Sequence, residues 1–270
     1  MAGDGERRMV FDTRGRRKNV VRVVYAVLAL LMGGSLFLTV GPFNLSEIVG
    51  NGSAGDASEV YDEQVERLEG ALAKTPNDEN LLLALTRAEL SAGQARTGTS
   101  LESENPQLPP DARDDYEAAL EAWNRYLNQV DEPNPVAAQL VAQTFFTLSE
   151  RGSYTLEEVE TNAETAVRAQ RIAAEARPNL NTLSSLALYE YFYGDLKAGD
   201  RATKRALASA PSKEEAKNIK KQLTQFRKQG QEYQQSIAQY KAQQKKAGGQ
   251  GEPFQNPFSL GGGTSGSLGQ

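Results

Sequence analysis

Asp114, Asp115, Glu157, Glu158, Glu160 and Glu164 are the residues that could supply a general acid and a general base. Their spacing places them on solvated helix faces, where a carboxylate keeps a helix soluble and has no reacting group to meet. The 270-residue chain has no histidine and no cysteine, so imidazole bases, thiolate nucleophiles, His/Cys zinc sites and disulfides are all excluded. It also lacks a P-loop, a Rossmann glycine run, a Ca²⁺ loop and an H-E-x-x-H pair. The expectation is therefore a protein without catalysis, cofactor or metal, whose chemistry is the binding of another molecule.

Binding residues need elements to hold them. From Glu59 onward apolar residues recur at spacings of three and four, and alternating β-branched runs are missing, which predicts an all-α body. Helices are expected at 59–74, 79–92, 111–130, 135–150, 157–176, 180–193, 196–209 and 213–246. Three of them end alike, in Ala71-Leu72-Ala73-Lys74-Thr75-Pro76, Ala173-Ala174-Glu175-Ala176-Arg177-Pro178 and Ala206-Leu207-Ala208-Ser209-Ala210-Pro211. Proline disfavours helical geometry in the residue before it, and the small alanine lets a neighbouring helix come close.

After the first of these prolines, Asn77-Asp78-Glu79 is a capping stretch; Leu82 and Leu85 then point inward and Gly93 marks the helix end. After the second, Leu183 and Leu186 repeat the spacing and Gly194 closes the helix. Tyr116, Ala119, Trp123 and Tyr126, and then Ala166, Gln170 and Ala173, fit second helices of the same kind of unit. This pattern resembles the tetratricopeptide repeat (TPR), a helix-turn-helix unit of about 34 residues that stacks into a solenoid. The sequence departs from it at Thr86 and Ala187, where glycine is usual, and at Gln94–Pro110, an insertion between paired helices.

The resemblance implies a concave groove that binds an extended peptide or a partner helix. On the matching positions the groove would show Asn80, Leu83 and Arg87 from one helix, and Tyr189, Phe192 and Tyr193 from another. Aromatic and arginine side chains are favoured anchors because they bury much area at little rotamer cost. The alternative for Tyr189 to Tyr193 is that they are core and rim residues of a packed helix pair.

Residues 23–40 contain no charge and make a helix of about 27 Å, close to the roughly 30 Å hydrocarbon core of a bilayer. Seven basic residues lie between Arg7 and Arg22, and no further Lys or Arg occurs until Arg67. This asymmetry predicts a single-pass signal-anchor with residues 1–22 cytoplasmic and the remainder outside the cytoplasmic membrane. It also assigns the basic run to topology, so no nucleic acid is expected as a partner. Residues 41–58 read as a flexible linker, 59–211 as the TPR-like domain, and 212–247 as a long basic amphipathic helix.

Residues 248–270 read as a disordered Gly/Ser/Pro-rich tail. The tail contains Asn256-Pro257-Phe258, in some proteins a short docking motif and here read as part of a low-complexity run. Charge divides the outer part: 59–210 carry 26 acidic and 14 basic side chains, whereas 213–246 carry 9 basic and 3 acidic. Ile219, Leu223, Phe226, Tyr233, Ile237 and Tyr240 form one apolar stripe interrupted by Gly230. The stripe is expected to cap the solenoid end up to Gly230 and to be solvated beyond it. Self-association of this helix as a coiled coil, giving a homo-oligomer, and attraction to an anionic membrane surface are the alternatives. The combined expectation is a membrane-anchored, extracytoplasmic scaffold of bacterial type, an adapter for envelope assembly or secretion, that binds a protein or peptide in its groove.

Overall fold

The computed structural model describes residues 54–98, 100–102, 108–153, 155–246 and 256. Contacts divide the chain into 1–57 and 58–270, and the helical body belongs to the second unit. Eight α-helices are present among the described residues: α1 Ala54–Leu72, α2 Glu79–Thr97, α3 Pro110–Leu127, α4 Pro135–Thr147, α5 Leu156–Ala176, α6 Leu180–Tyr193, α7 Leu196–Ala208 and α8 Lys213–Lys246. No strand occurs among them, so the described body is all-α. No helix of the described residues is long and apolar enough to cross a membrane, and the expected span 23–40 lies outside them. So do residues 1–22 and most of the linker and tail.

The helices start where side chains can satisfy their orphan amides. Asp78 Oδ1 accepts from the N–H groups of Asn80 (2.9 Å) and Leu81 (3.0 Å) at the head of α2. Asn134 does the same for Val136 (3.0 Å) and Ala137 (3.1 Å), with Pro135 at the first helical position of α4. Thr155 and Glu158 form a reciprocal capping box on α5, with bonds of 3.1 and 3.2 Å. Asn179 and Thr182 form another on α6, which Gly194 ends at φ 106°.

Helices pair in sequence, α2 with α3, α4 with α5 and α6 with α7. Helix α5 also packs on α6, and α8 lies over α6 and α7. The seams are lined by fully buried alanines, among them Ala119, Ala138, Ala142, Ala166, Ala173, Ala187 and Ala206, as close helix approach requires. Larger side chains fill the remaining space: Leu82, Trp123, Tyr126, Val141, Phe145 and Val167 in one cluster, and Leu183, Leu186, Tyr191 and Leu223 in a second. Burying each is worth about 1.5–3 kcal/mol.

Polar ties cross the same seams. Arg96 on α2 pairs with Asp62 of α1 and Asp115 of α3. Arg171 on α5 holds Glu190 of α6 through two bonds, Nε to Oε1 at 2.7 Å and Nη2 to Oε2 at 3.0 Å.

Three expectations are corrected. Gly93 does not end its helix: α2 runs on to Thr97, taking up the start of the expected insertion, and Gly93 is buried where a Cβ would stand 2.8 Å from the Tyr116 ring. The helix expected at 135–150 is α-helical only to Thr147 and then widens into a π-turn, Leu148–Gly152. Gly230 does not divide a capping half of α8 from a solvated one, because Tyr233 and Ile237 beyond it are buried, as Leu223 before it is. A Cβ on Gly230 would lie 2.5 Å from the carbonyl oxygen of Tyr191, so the glycine is what lets α8 touch the α6 backbone.

Candidate partner-binding surface

Helix α8 is held on the body by charge as well as by its apolar stripe. Arg227 donates to Asp200 of α7 through Nε (2.9 Å) and Nη2 (3.3 Å), and Lys241 Nζ lies 2.6 Å from Glu160 of α5. Tyr191 Oη donates to the same Asp200 at 3.0 Å, and Gln234 Nε2 donates to the Phe192 carbonyl at 2.5 Å. The Asp200 carboxyl is held below its usual range by Arg227, which outweighs its partial burial.

Where α8 crosses the end of α6 and the outer face of α5, a cleft of about 670 Å³ remains open. Its apolar lining is Val159, Phe192, Tyr193, Tyr233 and Ile237, and its carboxylates are Glu160, Glu164 and Asp195. Glu160 and Glu164 are one helical turn apart on α5, so both point to the same side. Asp195 also caps α7, accepting from Ala198 N–H at 2.8 Å. Lys241 neutralises part of the charge at Glu160, and the rim stays acidic through Glu164 and Asp195. An aromatic floor inside an acidic rim suits a peptide side chain with an apolar stem and a cationic end.

The six residues singled out in the sequence fall into two sets. Asn80, Leu83 and Arg87 lie on α2: Asn80 is exposed, Arg87 half-buried, and Leu83 packs partly into the core. Tyr189, Phe192 and Tyr193 lie on α6, with α4 between the sets: it packs on α2, and its Phe146 stacks on Tyr189 at 4.1 Å. Phe192 meets Phe146 edge-on at 6.0 Å and Tyr233 at 6.0 Å. Tyr189 and Phe192 are thus core residues, Phe192 also forming part of the cleft floor. Tyr193, 40% exposed, is the member of the cluster that a partner can reach most freely.

Close to Tyr233 of the cleft lies a half-buried carboxyl group. Glu150, in the π-turn, has its carboxyl pushed up to about 7 by burial, with Arg151 opposing. Burial pushes the Tyr189 hydroxyl up to about 12, and the nearby Glu150 adds to the effect. Tyr233 is raised for the same reason, with Glu150 and Glu160 adding to it. Both phenols therefore stay protonated at neutral pH and keep their aromatic stack uncharged.

The carboxylates considered for acid–base work have structural duties where their contacts are known. Asp115 binds Arg96, Glu158 caps α5 and pairs with Arg113, and Glu160 meets Lys241. Among the described residues no three acidic groups converge closely enough to hold a metal ion.

The lining that sequence reasoning missed is Val159, Ala163, Asp195 and Gln234. A signal for it exists in the basic charge of α8 set against an acidic body, because such a helix must lie where carboxylates face it. Comparison with protein-family models, with curated proteins and with solved structures finds no match to this chain.

Proposed function

We propose that the chain is a membrane-anchored, extracytoplasmic TPR-like scaffold that grips a protein or peptide partner, an adapter of the envelope-assembly or secretion-helper type. Residues 23–40 serve as the single-pass anchor, with 1–22 on the cytoplasmic side. The observation that carries the reading is the acidic-rimmed, aromatic-floored cleft between α5, α6 and α8, set on a stack of helix pairs. Its chemistry favours a partner segment that presents lysine or arginine beside an apolar residue.

Self-association through α8 has less support, because the stripe it would use is spent: Leu223, Tyr233 and Ile237 are buried against the chain's own helices. The test is capture of partners by detergent-solubilised full-length chain, compared with Tyr193→Ala and Glu164→Lys. The proposal expects a discrete partner that both substitutions release and that added salt weakens. Retention of the same partners by both variants would overturn it.

A further inference from the structure

Asn256 lies in a run of Gly, Gln, Pro and Ser, where a side chain has little reason to be buried, yet it is only 7% exposed. Its Nδ2 donates to two successive carbonyls of the π-turn, Ser149 O at 2.8 Å and Glu150 O at 3.2 Å. The turn explains why those oxygens want a donor. After Gly152 the backbone becomes extended at Ser153 (φ −100°, ψ 131°), so the last turn has no following helical N–H groups to satisfy its carbonyls. Two neighbouring ones are met by side chains of the turn itself, Phe146 O by Ser149 Oγ at 2.7 Å and Leu148 O by Ser153 Oγ at 2.9 Å. Ser149 O and Glu150 O are met from over a hundred residues away. A carboxamide suits the task because one NH₂ group carries two hydrogens and can serve two oxygens at once.

We propose that the corner between α4 and α5 is a docking site for the side-chain amide of an extended segment, and that its occupant is the chain's own C-terminal tail, seated through Asn256. The covalent geometry permits it. The ten residues from Lys246 to Asn256 reach up to about 35 Å when extended. Helix α8 already lies against α5 at the Lys241–Glu160 pair. The docked amide supplies the donor for Ser149 O and Glu150 O, and it ties the chain at Asn256 to the turn that follows α4. The tail is thereby a resident ligand of the body, as distinct from a free appendage.

The chain has no cysteine, so a pair can be introduced cleanly for spin labels. Full-length Glu157→Cys/Ser259→Cys in detergent, measured by pulsed electron–electron resonance, is expected to give one narrow distance distribution centred within roughly 30 Å. Asn256→Asp sets a carboxylate against two carbonyl oxygens, and Asn256→Ala removes the donor without adding charge. Each should broaden the distribution roughly twofold or more, toward that of an untethered chain, while circular dichroism shows the helices intact. A broad distribution in the parent pair, the same width in parent and both variants, or coupling found only between singly labelled chains would each overturn the proposal.

Discussion

Replacing Gly230 by alanine reverses the usual sign of a glycine-to-alanine change in a helix. On an exposed helical surface the substitution stabilises by up to about 1 kcal/mol, because alanine has the better helix propensity. At Gly230 the new Cβ would stand 2.5 Å from Tyr191 O and 2.7 Å from Tyr191 C. Those are backbone atoms in the last turn of α6, and they cannot swing aside as a side-chain end can. An ordinary contact needs about 3.4 Å or more, so α8 must lift by roughly 1 Å along its whole contact.

Lifting the helix loosens Leu223, Tyr233 and Ile237 together, and overpacking of this kind costs about 1–3 kcal/mol. After the propensity gain is subtracted, a net loss of up to about 2 kcal/mol is expected, seen as a fall of up to about 8 °C in thermal midpoint by circular dichroism. Gly70 in α1 is the matched control: nothing lies within 4 Å of its Cβ position, so Gly70→Ala should leave the midpoint unchanged or raise it. A Gly230→Ala midpoint equal to or above the parent's would refute the packing of α8 on α6.

Other substitutions separate packing from binding. Arg171→Ala leaves Glu190, whose side chain is 2% exposed, buried without its partner and should cost about 3 kcal/mol; the double change Arg171→Leu/Glu190→Leu should cost less, as chemical denaturation can show. Tyr189→Ala empties a buried, stacked site and should cost about 3 kcal/mol or more, whereas Tyr193→Ala should change stability by less than about 1 kcal/mol and weaken partner capture.

Stability should also fall as pH rises from about 5 to 8. Glu89 and Glu150 each have a carboxyl pushed from 4.5 to about 7, Glu89 by burial and then by Asp115 and Glu69, so the folded chain holds protons that the unfolded chain releases. Their contribution is complete below the unfolded value near 4.5 and is lost as pH passes through 7, to the extent of about 1–3 kcal/mol per group. Unfolding at pH 5.5 and 8.5 checks this: Glu89→Gln and Glu150→Gln should each flatten the slope, and a parent stability that rises over the interval would contradict it.

Where the chain speaks locally, its sequence was legible. The capping stretch Asn77-Asp78-Glu79 announces a helix start because capping is a contest between neighbouring groups, and α2 begins at Glu79 with Asp78 as its cap. The apolar stripe of α8 was likewise readable, although it predicted a cap only up to Gly230, whereas Tyr233 and Ile237 beyond it are buried too.

What sequence could not convey is the meaning of residues whose partners are far along the chain. Gly93 and Gly230 look like breaks in a helical period, yet each is required by a ring or a carbonyl on another helix. Tyr189 and Phe192 look like anchors because aromatics favour binding sites, but α4 and α8 supply Phe146 and Tyr233 to cover them. The cleft has no motif at all, since Glu164, Tyr193 and Ile237 belong to three helices that only packing brings together.

The most direct test of the account is site-specific photocrosslinking in intact cells, with a photoreactive residue in place of Tyr193 at the mouth of the cleft. The account predicts one discrete adduct in the membrane fraction, abolished by Glu164→Lys and absent when the photoreactive residue replaces exposed Glu175 on the same α5 helix that carries Glu164. Recovery of the chain outside the membrane fraction, or an adduct pattern from Tyr193 indistinguishable from that at Glu175, would contradict it.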